Sequence, residues 1–198
     1  WCNRQLRAVA RMRLMKLRSL AMCVLFAVLP AACTAMSTFP PVAGKPISTP
    51  SVSPGPEVMA GALKEAHRLN TTAKDHAGEF IYNLPAGLPE NTWNRVAFLL
   101  PDSARAMEPG DEGVYSVQQL RIGGGAAEVD VIYPDLGVYQ LMTVKFAGGP
   151  LAPWTVAWAY RWLIPAEKPT ANDPLQKAEM AQVQETAPAA DTEPDNGK

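Results

Sequence analysis

Beyond position 33 the chain has no cysteine, because its three are Cys2, Cys23 and Cys33. The remainder therefore offers no disulfide framework, no thiol nucleophile and no cysteine-ligated zinc site. Histidine is nearly as scarce. His67 and His76 stand nine residues apart, whereas a helical zinc motif sets two histidines four apart with a glutamate between them. They read as a solvated surface pair, so no metal site is expected. Gly123-Gly-Gly125 is followed by neither Lys-Ser/Thr nor a helix start, which makes it a turn rather than a phosphate loop, and no cofactor pattern occurs elsewhere. Acids are missing ahead of Glu57, while six of the 18 basic residues precede position 20. From Thr34 onward, 12 basic residues face 19 acids, a formal charge of −7. That balance argues against a nucleic-acid partner and against electrostatic adsorption to an anionic surface. A long apolar run is also lacking. Leu20–Leu29, even extended to Met36, reaches 17 residues and contains Pro30, short of the roughly 20 that span a bilayer.

What the chain does have is an address. Arg13, Lys16 and Arg18 precede the apolar run, and Ala31-Ala32 precede Cys33, the layout of an export signal with a processing site. Met12 stands directly ahead of the basic segment and would begin a signal of ordinary length, leaving residues 1–11 as upstream sequence. Leu29-Pro30-Ala31-Ala32-Cys33 resembles the lipobox of bacterial lipoprotein precursors, although Pro30 stands where an aliphatic residue is expected. The resemblance implies that Cys33 receives a diacylglycerol and becomes the mature N-terminus, so that the partner of the chain is first a membrane, reached through lipid on Cys33. Cys23 lies inside the apolar run and is no rival. Thr34 is not the aspartate that retains many lipoproteins at the inner membrane, which favours the outer one. The competing reading is an ordinary secretory signal, cleaved for example after Ala35, and a secreted or periplasmic product.

Residues 34–56 carry Pro40, Pro41, Pro46, Pro50, Pro54 and Pro56 among serines and threonines and read as an extended tether, able to reach about 70 Å at about 3.1 Å per residue. Residues 166–198 hold seven acids, three lysines and no aromatic residue, the composition of a disordered acidic tail. Residues 57–165 contain nearly all the aromatics and suffice for a single α+β domain. Glu57 to Leu69 has helical apolar spacing, and so does Leu88 to Leu100, stopped by Pro101. Gly78 to Asn83 is either a short strand or an irregular connection. Val114 to Ile122, Ala127 to Tyr133, Val138 to Phe146 and Trp154 to Ile164 are β-rich runs separated by short glycine-containing turns, hence antiparallel hairpins. The expected fold is two N-terminal helices packed on a four-stranded antiparallel meander. That element order, with a closing Trp-containing strand, is similar to the cone-shaped NTF2-like fold, which implies a family of enzymes and non-catalytic binding domains alike.

Trp154, Val156, Trp158, Tyr160 and Trp162 would share one face of the last strand. Such a row forms either core or a sugar or peptide platform, and core is the expected role. Glu128 and Asp130 alternate with valines and are expected on a solvated face. Within a cone, Asp130 would instead serve as a general base, with Tyr133 or Tyr160 as donor. The favoured function is a lipid-anchored envelope protein whose domain binds a protein or cell-wall partner without catalysis. The alternative is a small NTF2-like enzyme using acid–base chemistry in a cone-shaped pocket.

Overall fold

The computed structural model describes residues 35–74, 79–149 and 151–174. In this span a seven-stranded mixed sheet carries two helices on one face. In chain order the elements are β1 (Ser37–Phe39), α1 (Gly55–Lys74), β2 (Phe80–Asn83), α2 (Glu90–Leu99), β3 (Ala104–Ala106), β4 (Tyr115–Gly123), β5 (Ala126–Asp135), β6 (Val138–Gly149) and β7 (Ala152–Ala166). The sheet runs β3-β2-β4-β5-β6-β7, and β1 pairs β4 beside β2. Among the described residues no helix is long and apolar enough to cross a membrane.

This corrects the expected fold of two helices packed on a four-stranded antiparallel meander. Antiparallel hairpins do join β4 through β7. However, β2 is parallel to both β3 and β4, β1 precedes the helices, and the sheet stays open rather than curling into an NTF2-like cone. The physical cause is α2, a crossover that returns the chain to the same end of the sheet and so permits parallel pairing of β2 with β3.

Each helix forms for local reasons. α1 starts where the Val58 amide bonds the Pro54 carbonyl at 3.0 Å, with Glu57 in its positive first turn. It buries Val58, Met59, Ala62, Leu63 and Ala66, one stripe at three- and four-residue steps. α2 begins after Pro89, has Glu90 in its first turn, and buries Thr92, Trp93 and Val96. Its end is closed by the Leu100 amide on the Val96 and Ala97 carbonyls, both at 3.1 Å. Both stripes pack on the inner sheet face, where Val117, Leu120, Val129, Val131, Met142 and Val144 have no exposure. Burial at this level contributes about 1.5–3 kcal/mol per large side chain. At Gly61 a Cβ would lie 2.9 Å from the Phe146 ring, so the missing side chain lets α1 approach β6.

The segments expected to be free are partly docked. From Ala35 on, the stretch expected to be a tether holds β1, whose Ser37, Thr38 and Phe39 pair with Ile122, Arg121 and Leu120. Thr38 and Ser48 are buried, and the Ser48 amide bonds the Thr38 carbonyl at 2.9 Å. Residues 166–174, expected to begin a disordered tail, run back along the outer face to β2. There Asn83 Nδ2 donates to the Thr170 carbonyl at 2.8 Å and Asn172 Nδ2 to the Leu84 carbonyl at 3.2 Å. Ala171 packs on Ile81, Met107 and Val114. Among the described residues the outer face is thus covered over β2 and the start of β4, and uncovered where Gln119 and Arg121 of β4 meet β5, β6 and β7. Residues 1–34, including Cys33, and residues 175–198 lie outside the described span.

Candidate functional site

The bare part of the outer face is built from alternate residues of four strands. Register sets Arg121 of β4 opposite Glu128 of β5, and Gln119 opposite Asp130. The next register brings Lys145 of β6 opposite Glu128 and Thr143 opposite Asp130. The last one sets Trp158 and Tyr160 of β7 opposite Lys145 and Thr143. Glu128 therefore stands between two opposite charges, and Asp130 between two neutral hydrogen-bonding side chains.

The side chains close into a ring of contacts. Arg121 donates both terminal nitrogens to the Asp130 carboxylate at 2.7 Å each, and its Nε to Glu128 at 3.1 Å. The Thr143 hydroxyl donates to Asp130 Oδ1 at 2.6 Å and accepts from Trp162 Nε1 at 2.8 Å. Tyr160 meets Trp162 edge to face at 4.7 Å between centroids and Trp158 at 6.4 Å. Lys145 lies 4.7 Å above the Trp158 ring, a cation–π contact, and pairs with Glu128. Hydrogen bonding to Asp130, then the nearby charges, hold the Arg121 guanidinium above its ordinary range despite partial burial. Burial alone would raise the Glu128 carboxyl, but hydrogen bonds from Lys145 and Arg121 more than offset it and hold it below its ordinary range.

The aromatic row corrects the expectation that it is core on a single face. Trp158, Tyr160 and Trp162 are exposed at 46%, 50% and 47%, respectively. The pairing jumps from Lys145 opposite Trp158 to Phe146 opposite Val156, so Ala157 is an extra residue and the faces exchange there. Trp154 turns inward against the core. It occupies the space a Cβ of Gly148 would need, about 2.7 Å away. Arg161 also points inward, donating to the Leu69 carbonyl of α1 at 2.7 Å and lying over the Tyr133 ring at 5.3 Å.

The proposed acid–base set is not assembled. Asp130 is on the outer face and engaged by Arg121 and Thr143, whereas Tyr133 is fully buried on the inner face and meets Gln140 at 3.0 Å. Tyr160 shares the outer face, where its ring packs edge to face on Trp158 and Trp162. His67 is not a solvated surface residue. Its ring stacks on Phe80 at 4.4 Å and meets the Tyr115 edge at 5.2 Å. His76 lies outside the described residues. A cleft of about 410 Å³ beside His67 is lined by Asn70, Glu79, Glu112 and Tyr115 among others. Asn70 Nδ2 there donates to the Tyr115 hydroxyl at 3.0 Å and to the Pro134 carbonyl at 2.9 Å. Burial raises the Tyr115 phenol above its ordinary range, the hydrogen bond from Asn70 opposing it. Among the described residues no group of three His, Cys, Asp or Glu could hold a metal ion.

Sequence reasoning missed Arg121, Thr143 and Lys145 as the frame of the outer face. The signal was in the alternation: Gln119/Arg121, Glu128/Asp130 and Thr143/Lys145 are polar pairs two apart on three successive β-rich runs. No protein-family model matches the chain, and neither a curated protein nor a solved structure matches it.

Proposed function

We propose that the protein is exported, anchored at the outer membrane by lipid on Cys33, and that its domain is a non-catalytic module presenting the outer face of β6 and β7 to another envelope protein. The observation that carries this reading is the row Trp158, Tyr160 and Trp162, half exposed on a face whose remaining groups are already mutually paired. Tyr, Trp and Arg are the side chains that concentrate binding energy at protein interfaces. A flat, ordered aromatic surface loses little side-chain entropy on binding. The placement of Asp130 on the outer face and of Tyr133 on the inner one speaks against the acid–base alternative. The lipid on Cys33 would supply membrane affinity by itself, at about 0.8 kcal/mol per buried methylene, leaving the domain to bind its partner.

The anchor is tested by metabolic labelling with a clickable fatty acid, with expression from Met12 and Cys33→Ser in parallel. Label in the membrane fraction that disappears with the substitution is the expected result. An unlabelled wild type exported in soluble form would overturn the anchor and leave a diffusible binding protein.

A further inference from the structure

We infer that β7 pairs edge to edge with β7 of a second copy, joining two sheets about a two-fold axis at Tyr160. The inference does not rest on export or on the identity of the partner of the outer face; it rests on the contrast between the two edges of the sheet. An open strand edge is a row of unpaired amides and carbonyls that other strands can extend, and proteins blunt such edges with short strands, charge or a covering loop. The β3 edge is blunted in the first two of these ways. β3 has three residues. Its Arg105 is clamped between Glu79 at 2.6 Å and Asp111 at 2.6 Å. The hydrogen bonds that Arg105 donates to Asp111 and Glu79 raise its guanidinium above its ordinary range, in keeping with that clamp.

Among the described residues the β7 edge has none of these devices, and its prolines, Pro153 and Pro165, stand near its two ends. It is 15 residues long, and no described strand pairs its outer side. Between Ala152 and Ala166 the sole charge is Arg161, and that side chain is occupied inward by Leu69 and Tyr133. The register against β6 shifts at three places: between Ala152 and Thr155, at Ala157, and between Arg161 and Pro165, where Leu163 has a left-handed backbone, φ 53°. Between the last two the strand keeps regular register from Trp158 to Arg161, and Trp162 follows before the left-handed residue. Tyr160 stands midway between Trp158 and Trp162.

The stretch from Trp158 to Trp162 suits itself. In an antiparallel pairing centred on Tyr160, each Trp158 stands opposite the Trp162 of the other copy and the two tyrosines stand opposite each other, with no like charges facing. The outer faces then form one continuous surface with an aromatic cluster at its centre. Because the β3 edge is closed to pairing, the association is isologous and stops at two copies. A five-residue match makes the dimer modest, with a Kd in the micromolar range. Confinement to one membrane surface would raise its occupancy.

The test uses the full chain in detergent micelles, with mass determined by light scattering across a dilution series. Wild type is expected to pass from dimer to monomer through micromolar concentrations. Tyr160→Lys and Tyr160→Glu each place like charges opposite each other and are expected to weaken the dimer about tenfold or more. Mixing the two variants is expected to restore it, a result no misfolded variant could give. In the unsubstituted protein, hydrogen exchange of residues 158–162 is expected to slow as concentration rises. A wild type that is monomeric throughout, dimers unaffected by both charges, or exchange at 158–162 independent of concentration would overturn the inference. So would pairing of this edge with a strand of a different protein in place of a second copy.

Discussion

The two faces of the sheet are drawn from alternate residues of the same strands, yet they are held by different physics. On β5 the inner side is Ala127, Val129 and Val131, all without exposure, packed under α1. The outer side is Glu128 and Asp130, kept in place by Arg121, Thr143 and Lys145. The inner face is ordered by exclusion of water, whose contribution scales with area and is indifferent to direction. The outer face is ordered by directional contacts that fix side chains and leave its charged groups partly open to water. The lesson is that this protein has an outer surface as organised as its core but with little of the core's energy, the arrangement expected where order serves recognition rather than stability.

The contrast can be broken most severely from inside. Leu63→Ala removes a fully buried side chain of α1 and is expected to cost about 3 kcal/mol, read as a lower urea midpoint at unchanged slope. Arg121→Ala should cost less, about 1–2 kcal/mol, because Asp130 and Glu128 lose their shared donor while retaining some access to water. Arg121→Lys should recover only part of that loss, since an ammonium cannot match the two-pronged bond to Asp130.

Acid should distinguish the faces as well. The Glu128 carboxyl is held below its ordinary 4.5, so its ionised form is favoured by folding. That stability is fully present above pH 4.5 and is lost as pH falls through the lower folded value. Glu128→Gln removes this dependence, and the difference in melting temperature between the variant and wild type should shrink as the buffer is taken below pH 4.5. A difference that stays constant down the series would contradict the assigned pairing of Glu128.

The smallest effect has the opposite sign. Leu136 and Gly137 form the two-residue turn between β5 and β6, and Leu136 sits at φ 52° with its side chain 86% exposed. A left-handed leucine is strained, whereas asparagine tolerates that region. Leu136→Asn should stabilise by about 0.5–1 kcal/mol, measured by thermal unfolding, and should leave both faces as they are.

Much of this arrangement was legible in the sequence where the pattern is local. The runs that became β4 to β7 show β-rich composition between glycine turns, and Gly124-Gly125, both at positive φ, specify a tight hairpin that sets Arg121 against Glu128. The rest was not legible, for identifiable reasons. β2 is buried on both sides, Phe80 and Tyr82 under the helices and Ile81 with Met107 and Ala171, so it has no alternation to read. β1 and β3 have three residues each, too few for a period, and β1 follows from pairing with a strand more than 80 residues away. The bulge at Ala157 is one residue long, and it alone decides that Trp154 is core while Trp158 and Trp162 are surface. No composition signal marks it. The address carried by Cys33 lies outside the described residues and remains a proposal from the sequence.

The central claim is that the outer face of β6 and β7 is the contact surface of this domain. A photo-crosslinking residue placed at Tyr160 should therefore be compared, in cells, with the same residue at Phe98, a 79% exposed position on α2. The account predicts a discrete adduct from position 160 that disappears in a Trp158→Ala/Trp162→Ala background, and none from position 98. No adduct at 160, or adducts that survive loss of both tryptophans, would contradict it.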